Sequence, residues 1–254
     1  MHSYEYFYNL GCFTREDASK IASNPNTVDS TLFTYKKKGL IKSVKRNLYV
    51  AVSRETKTVV ATPFEIASKI TADSFVSHHS AFEYYGMANQ VFSDINVSTT
   101  IRFNDFEFDG KTFQFIKSKM KLGIISATSR VRITDLERTI IDSIKDFNKI
   151  GGLEELLRCL EMVTYVDEKR LLLYLEGYDN QFLYQKTGYI LMHYQKSMKL
   201  SEEFFEKCNF MKKSSIRYLY DDIKPADPIY NSKWQMYVPA DLMKLIDEGG
   251  NEIV

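Results

Sequence analysis

The stretch from Thr14 to Val52 constrains this chain most, because it spells helix, turn, helix and basic hairpin in that order. Thr14-Arg15-Glu16-Asp17 opens it with a hydroxyl followed three residues later by an acid. The hydroxyl can accept from an orphan N–H of the first helical turn, and the acid can reach back to the cap. A short helix through Ala18 and Ile21 should end at Asn24-Pro25-Asn26, since proline disfavours a helical residue before it. A second helix is expected over about Thr27 to Lys38, with Gly39 as its left-handed stop. Lys42-Ser43-Val44, a basic tip at Lys45-Arg46-Asn47, and Leu48-Tyr49-Val50-Ala51-Val52 then read as a β-hairpin, the wing. Ahead of it, Tyr4, Phe7, Tyr8 and Leu10 have near-helical spacing and predict a first helix closing the same core.

At 100° per residue, Val28, Leu32 and Tyr35 share one side of the second helix and should pack inward. Thr27, Thr31, Thr34 and Lys38 fall opposite, with Ser30 and Lys37 beside them and no acid among them. Phe33 lies between the two faces. Lysines neutralise phosphates and small polar groups approach base edges, so such a face suits a DNA major groove. Thr27, Ser30, Thr31 and Thr34 are therefore expected at bases. Lys36, Lys37, Lys38, Lys42, Lys45 and Arg46 are expected at phosphates of double-stranded DNA. The plainer alternative is a small helical subdomain with a solvated lysine run. The order of elements favours the DNA reading.

Charge supports a division of labour. Residues 1–57 hold ten Lys/Arg against five Asp/Glu, whereas the remainder holds 24 against 28. A basic head on an acidic body suggests a nucleic-acid end and a different role for the rest. Met1-His2-Ser3-Tyr4-Glu5 lacks the basic start and apolar run of a leader, and no apolar stretch reaches membrane-spanning length. A cytoplasmic chain without a membrane partner is expected. Cys12, Cys159 and Cys208 are few and far apart, which suits buried thiols in a reducing compartment. Neither they nor His2, His78, His79 and His193 show a metal-ligand spacing, so no metal or cofactor is expected.

Beyond a boundary near residue 57, Thr62-Pro63 should cap and start a helix over Phe64 to Ile70. Ser74 to Ser77 reads as a strand, His78 to Gly86 as a glycine-ended helix, and Val91 to Arg102 as a strand. His78 and His79 find no nucleophile or metal partner at a telling distance and are read as packing or capping residues. Phe106 to Phe115 is a hairpin around Asp109-Gly110, with Phe106 facing Phe113, Glu107 facing Thr112 and Asp105 facing Gln114. Thr134-Asp135-Leu136-Glu137 reads as a capping box after a strand at Val131 to Ile133. Its helix has a core stripe of Leu136, Ile140, Ile144 and Phe147. Asp135, Glu137, Arg138 and Asp142 are read as a solvated face with local ion pairs. After Gly151-Gly152 the pattern is mainly helical, with an extended cover around Trp234 to Pro239 and a last helix at Asp241 to Ile246.

The expected fold class is thus α+β. A winged helix-turn-helix over residues 1–57 precedes a second domain, 58–254. That domain divides into a mixed α/β part, 58–147, and a mainly helical part, 148–254. Two other functions compete with DNA binding. Asp94, Asp109 and Lys111 have the residue types of a magnesium-dependent nuclease, although the Asp-Gly turn would put Asp109 at an exposed tip. Alternatively, the acidic helical part is a pure protein-interaction module.

In order, the chain carries Phe13-Thr14 to Gly39-Leu40-Ile41, Asn47-Leu48-Tyr49-Val50, Ser77 to Gly86, Val131 to Asp142 and Trp234 to Pro239. With these marks it resembles the abortive-infection type IV antitoxin family, the AbiEi-like transcriptional regulators. The resemblance implies an N-terminal winged helix that binds inverted repeats in its own promoter and represses it. It also implies a C-terminal antitoxin domain, 58–254, that counteracts a co-encoded toxin of nucleotidyltransferase fold without a stable complex. The family often has glycine at the wing tip, where this chain has Lys45-Arg46-Asn47. Asparagine tolerates the left-handed conformation such a turn needs.

Overall fold

A computed structural model describes residues 3–21, 24–212, 214–220 and 228–248. The chain is α+β and divides into two units. One holds residues 1–80, 92–119 and 124–133; the other holds 81–91, 120–123 and 134–254. The boundary expected near residue 57 falls inside the first of these.

The first unit begins with α1 (Ser3–Leu10), β1 (Cys12–Thr14), α2 (Arg15–Ser19) and α3 (Pro25–Lys37). The hairpin β2 (Ile41–Lys45) and β3 (Leu48–Ala51) follows. The three strands form an antiparallel sheet in the order β1-β3-β2. Thr14 caps α2 in a reciprocal box with Asp17, as its spacing predicts. The short helix α2 stops at Ser19, ahead of Ile21, and Pro25 opens α3 before the expected Thr27, in the first turn, where a missing N–H costs nothing. Gly39 has φ +67° and ends α3 in the left-handed region. Phe7, Phe13, Ala18, Val28, Leu32 and Ile41 make the local core, and Phe7 stacks on Phe13 at 4.4 Å.

The same unit continues through α4 (Pro63–Ala67), β4 (Phe75–Val76) and α5 (His78–Tyr84), whose last turn belongs to the other unit. Thr62 and Glu65 cap α4 in a box, and the helix stops at Ala67, short of Ile70. Next come β5 (Asp94–Thr99), β6 (Phe106–Phe108), β7 (Lys111–Lys117), β8 (Ile124–Ser126) and β9 (Arg132–Thr134). These strands and β4 form a six-stranded mixed sheet ordered β6-β7-β5-β4-β9-β8. The β6–β7 register pairs Phe106 with Phe113 and Glu107 with Thr112, as read from the Asp-Gly turn. Asp109 and Gly110 take φ +52° and +76°, the conformation a two-residue turn of this type requires. Asp105 lies outside that ladder and accepts from the Phe115 N–H at 2.8 Å.

The second unit is mainly helical: α6 (Leu136–Lys145), α7 (Gly152–Glu161), α8 (Glu168–Tyr178), α9 (Gln181–Met192), α10 (Gln195–Met198) and α11 (Glu202–Met211). A small sheet of β10 (Arg217–Tyr218), β11 (Ile229–Asn231) and β12 (Met236–Val238) follows, then α12 (Lys244–Glu248). The capping residue of α6 is Asp135, which accepts from the Arg138 N–H; Thr134 still belongs to β9. The charged face expected on α6 is not solvated. Asp135, Glu137, Arg138 and Asp142 are all buried, because α7, α8 and α9 surround the helix. Arg138 compensates by donating to Asp142 at 2.6 Å, the Leu122 carbonyl at 2.6 Å and the Tyr178 hydroxyl at 3.1 Å. The three cysteines are buried thiols, and burial pushes each up to about 12. No helix among the described residues is long and apolar enough to cross a membrane.

Candidate nucleic-acid interface

Helix α3 takes its orientation from its apolar side. Val28 and Leu32 are buried where α3 packs on α2 and β2, and Tyr35 beside them meets Tyr4 and Phe7 of α1. That commitment turns the other side outward. Thr27, Ser30, Thr34, Lys36, Lys37 and Lys38 are exposed, and Thr31 is half-buried. The Ser30 hydroxyl donates back to the Thr27 carbonyl at 3.0 Å, so its lone pairs stay available outward. Phe33 is 70% exposed, a large apolar ring beside a polar face. The acid of this helix, Asp29, is held by a two-point pair with Arg15, both contacts at 2.8 Å.

The hairpin divides its cations. Arg46 is exposed at the tip, next to Asn47 at φ +63°, and Lys42 is exposed on β2. Lys42 lies 3.5 Å from the Asp109 carboxylate. Lys45, also expected at phosphates, is half-buried. Its ammonium sits over the rings of Phe103 and Phe106, 5.0 and 5.4 Å from their centroids, and burial lowers its pKa. An apolar stem with a charged end suits an aromatic cover of this kind, so Lys45 braces the hairpin instead of standing free.

Asp94, Asp109 and Lys111 do not converge. Asp94 accepts from Gln114 at 2.7 Å, Asp109 stands at the exposed turn beside Lys42, and Lys111 donates to the Phe92 carbonyl at 2.6 Å. His78 and His79 are buried; His78 Nδ1 meets the Ser77 hydroxyl at 2.8 Å and His79 lies against Phe92.

Sequence reasoning missed a second cationic feature. A groove of about 860 Å³ is lined by Arg15, Lys20, Arg46, Lys69, Arg130 and Arg132. Lys69, Arg130 and Arg132 come from far along the chain, and no local spacing announces them.

No family model matches the chain, and no curated protein does. Among solved structures it is similar to the RV2827C protein from Mycobacterium tuberculosis, with a TM-score of 0.67 at 11% identity. The match covers 96% of this chain and 93% of that one. At that identity the likeness is one of fold.

Proposed function

We propose that this chain is a DNA-binding regulator whose residues 1–57 act as a winged helix-turn-helix, with α3 in the major groove and the β2–β3 hairpin as wing. The observation that carries the reading is the outward polar side of α3, where Thr27, Ser30, Thr34, Lys37 and Lys38 are exposed while Val28 and Leu32 anchor the opposite side. The element order α1-β1-α2-α3-β2-β3 with a β1-β3-β2 sheet supports it. The phosphate contacts fall to Lys36, Lys37, Lys38, Lys42 and Arg46, and the base contacts to Thr27, Ser30, Thr31 and Thr34. Through its resemblance to the AbiEi-like regulators, the chain is further proposed to repress its own promoter at inverted repeats. The remainder of the chain would antagonise a co-encoded nucleotidyltransferase-fold toxin in the cytoplasm.

Reversing charge with Lys37→Glu and Lys38→Glu tests the core of the reading. In gel shifts with DNA from immediately upstream of the coding sequence, affinity should fall for promoter and scrambled duplexes alike. The slope of log K against log salt should flatten by about 0.9 for each phosphate that is no longer neutralised. Affinity and slope equal to those of the unaltered protein would remove α3 from the interface.

A further inference from the structure

We propose that the DNA-binding surface does not end at the wing but continues into the cationic groove, which holds the sugar-phosphate backbone flanking the segment read by α3. The inference rests on the DNA-binding reading above and extends it to residues 126–132.

The groove is lined by Arg15 and Lys20 of the α2 segment and by Arg46 at the hairpin tip. Lys69, Arg130 and Arg132 complete its cationic lining. The carboxylates in the lining are Glu16 and Asp17. Asp17 is already taken by Lys20 at 2.9 Å and Lys69 at 3.3 Å. Asp29 and Glu65 pair with Arg15 and Arg130, and cations still outnumber acids. Arg132 donates to the carbonyls of Ser68 and Ala72 at 2.9 and 2.8 Å, which orients its guanidinium without cancelling its charge. Arg46 has no ion pair among the described residues. A groove with surplus positive charge and low-dielectric walls concentrates anions.

Two features identify the anion. Serine and threonine hydroxyls sit among the cations, including Thr14, Ser126, Thr128 and Ser129, which suits phosphate oxygens. Among the described residues no aromatic ring lines the groove, which offers no surface for stacking a base and favours a backbone over a free nucleotide or an unpaired strand. The site is also continuous with the proposed interface: Arg46 and Asn47 belong to both, and Arg15 ties the groove to α3 through Asp29. Finally, the loop that brings Ser129 and Arg130 is fixed. Ala127 donates to the Val131 carbonyl at 3.0 Å, and the Thr128 hydroxyl accepts from the N–H groups of Arg130 and Val131 at 3.2 and 3.0 Å.

Fluorescence anisotropy of the full chain with the upstream duplex, across a salt series, tests this with Arg130→Gln and Ser129→Glu. Arg130→Gln should weaken binding several-fold on promoter and scrambled duplexes alike and flatten the salt slope by about 0.9. Ser129→Glu adds a negative charge at the groove and should leave the melting temperature unchanged while weakening binding several-fold. If freeing Glu65 destabilises Arg130→Gln, the Ser129→Glu result decides. Wild-type binding by Ser129→Glu, with binding abolished in the Lys37→Glu/Lys38→Glu protein, would overturn the groove and leave the α3 reading standing. No binding of any duplex by the unaltered protein would remove both.

Discussion

Asp73 is a carboxylate surrounded by donors: Thr71 at 3.1 Å, Thr99 at 2.5 Å, and both the N–H and the hydroxyl of Thr100. Burial works against its ionisation, but the bonds from Thr100 and Thr99 outweigh that and hold its pKa below the usual carboxylate range. A folded-state pKa below the unfolded value of about 3.9 gives stability that is full above that pH and is lost as the pH falls from there through the lower, folded-state pKa. Asp73→Asn should therefore cost about 1–3 kcal/mol near neutrality. Urea unfolding from pH 6 to pH 2 should show that difference shrinking towards the acid end. Gly188 poses a steric problem instead. A Cβ there would stand 2.1 Å from the ring of Trp234, which is fully buried. Gly188→Ala should cost about 1–3 kcal/mol or more. Pairing it with Trp234→Leu should give less than the sum of the two single losses, because each substitution relieves the other. Additive losses would show that the ring is not what crowds this helix.

At the scale of elements, the β2–β3 hairpin depends on one left-handed residue. Asn47 takes φ +63° and its carbonyl accepts from the Arg15 N–H at 3.1 Å, so the tip is tied to the start of α2. Asparagine reaches that conformation at small cost, whereas a β-branched residue does not. Asn47→Val should lower stability by about 1–3 kcal/mol, while Asn47→Gly should stay near the parent in denaturant unfolding. Equal stability of the two variants would mean that the turn can relax into another geometry. The same logic explains α3: two buried anchors, Val28 and Leu32, fix its rotation and so decide which hydroxyls and lysines face outward.

For the molecule as a whole, residues 1–57 do not stand apart from the chain that follows. Lys45 lies on Phe103 and Phe106, Asp17 pairs with Lys69, and Val60 donates to the Ala51 carbonyl at 3.0 Å. A 1–57 fragment would lack these partners, and a chain that short has little core to spare. A loss of about 2 kcal/mol would lower its melting temperature by roughly 8–16 °C relative to the same segment in the intact protein. Circular dichroism melting of the fragment beside hydrogen exchange on the full chain would measure this. Equal protection in both would show that the segment is self-sufficient.

What the sequence determined alone was local. Caps at Thr14 and Thr62, the Asp109-Gly110 turn, the stop at Gly39 and the apolar stripe of α3 all depend on residues within a few positions of one another. Backbone hydrogen bonding and helical periodicity act over that range, so spacing suffices to read them. Burial is different, because it depends on which distant segments arrive. The charged residues of α6 carry the pattern of a wet face, yet neighbouring helices enclose them and Arg138 must satisfy Asp142 inside. Lys45 reads as a free cation until Phe103 and Phe106 are packed beneath it. The cationic groove exists only because the chain returns Lys69, Arg130 and Arg132 to the side of Arg15 and Arg46. Charge acts through space and not along sequence, so tertiary structure alone decided which of these cations are spent on the fold and which stay exposed.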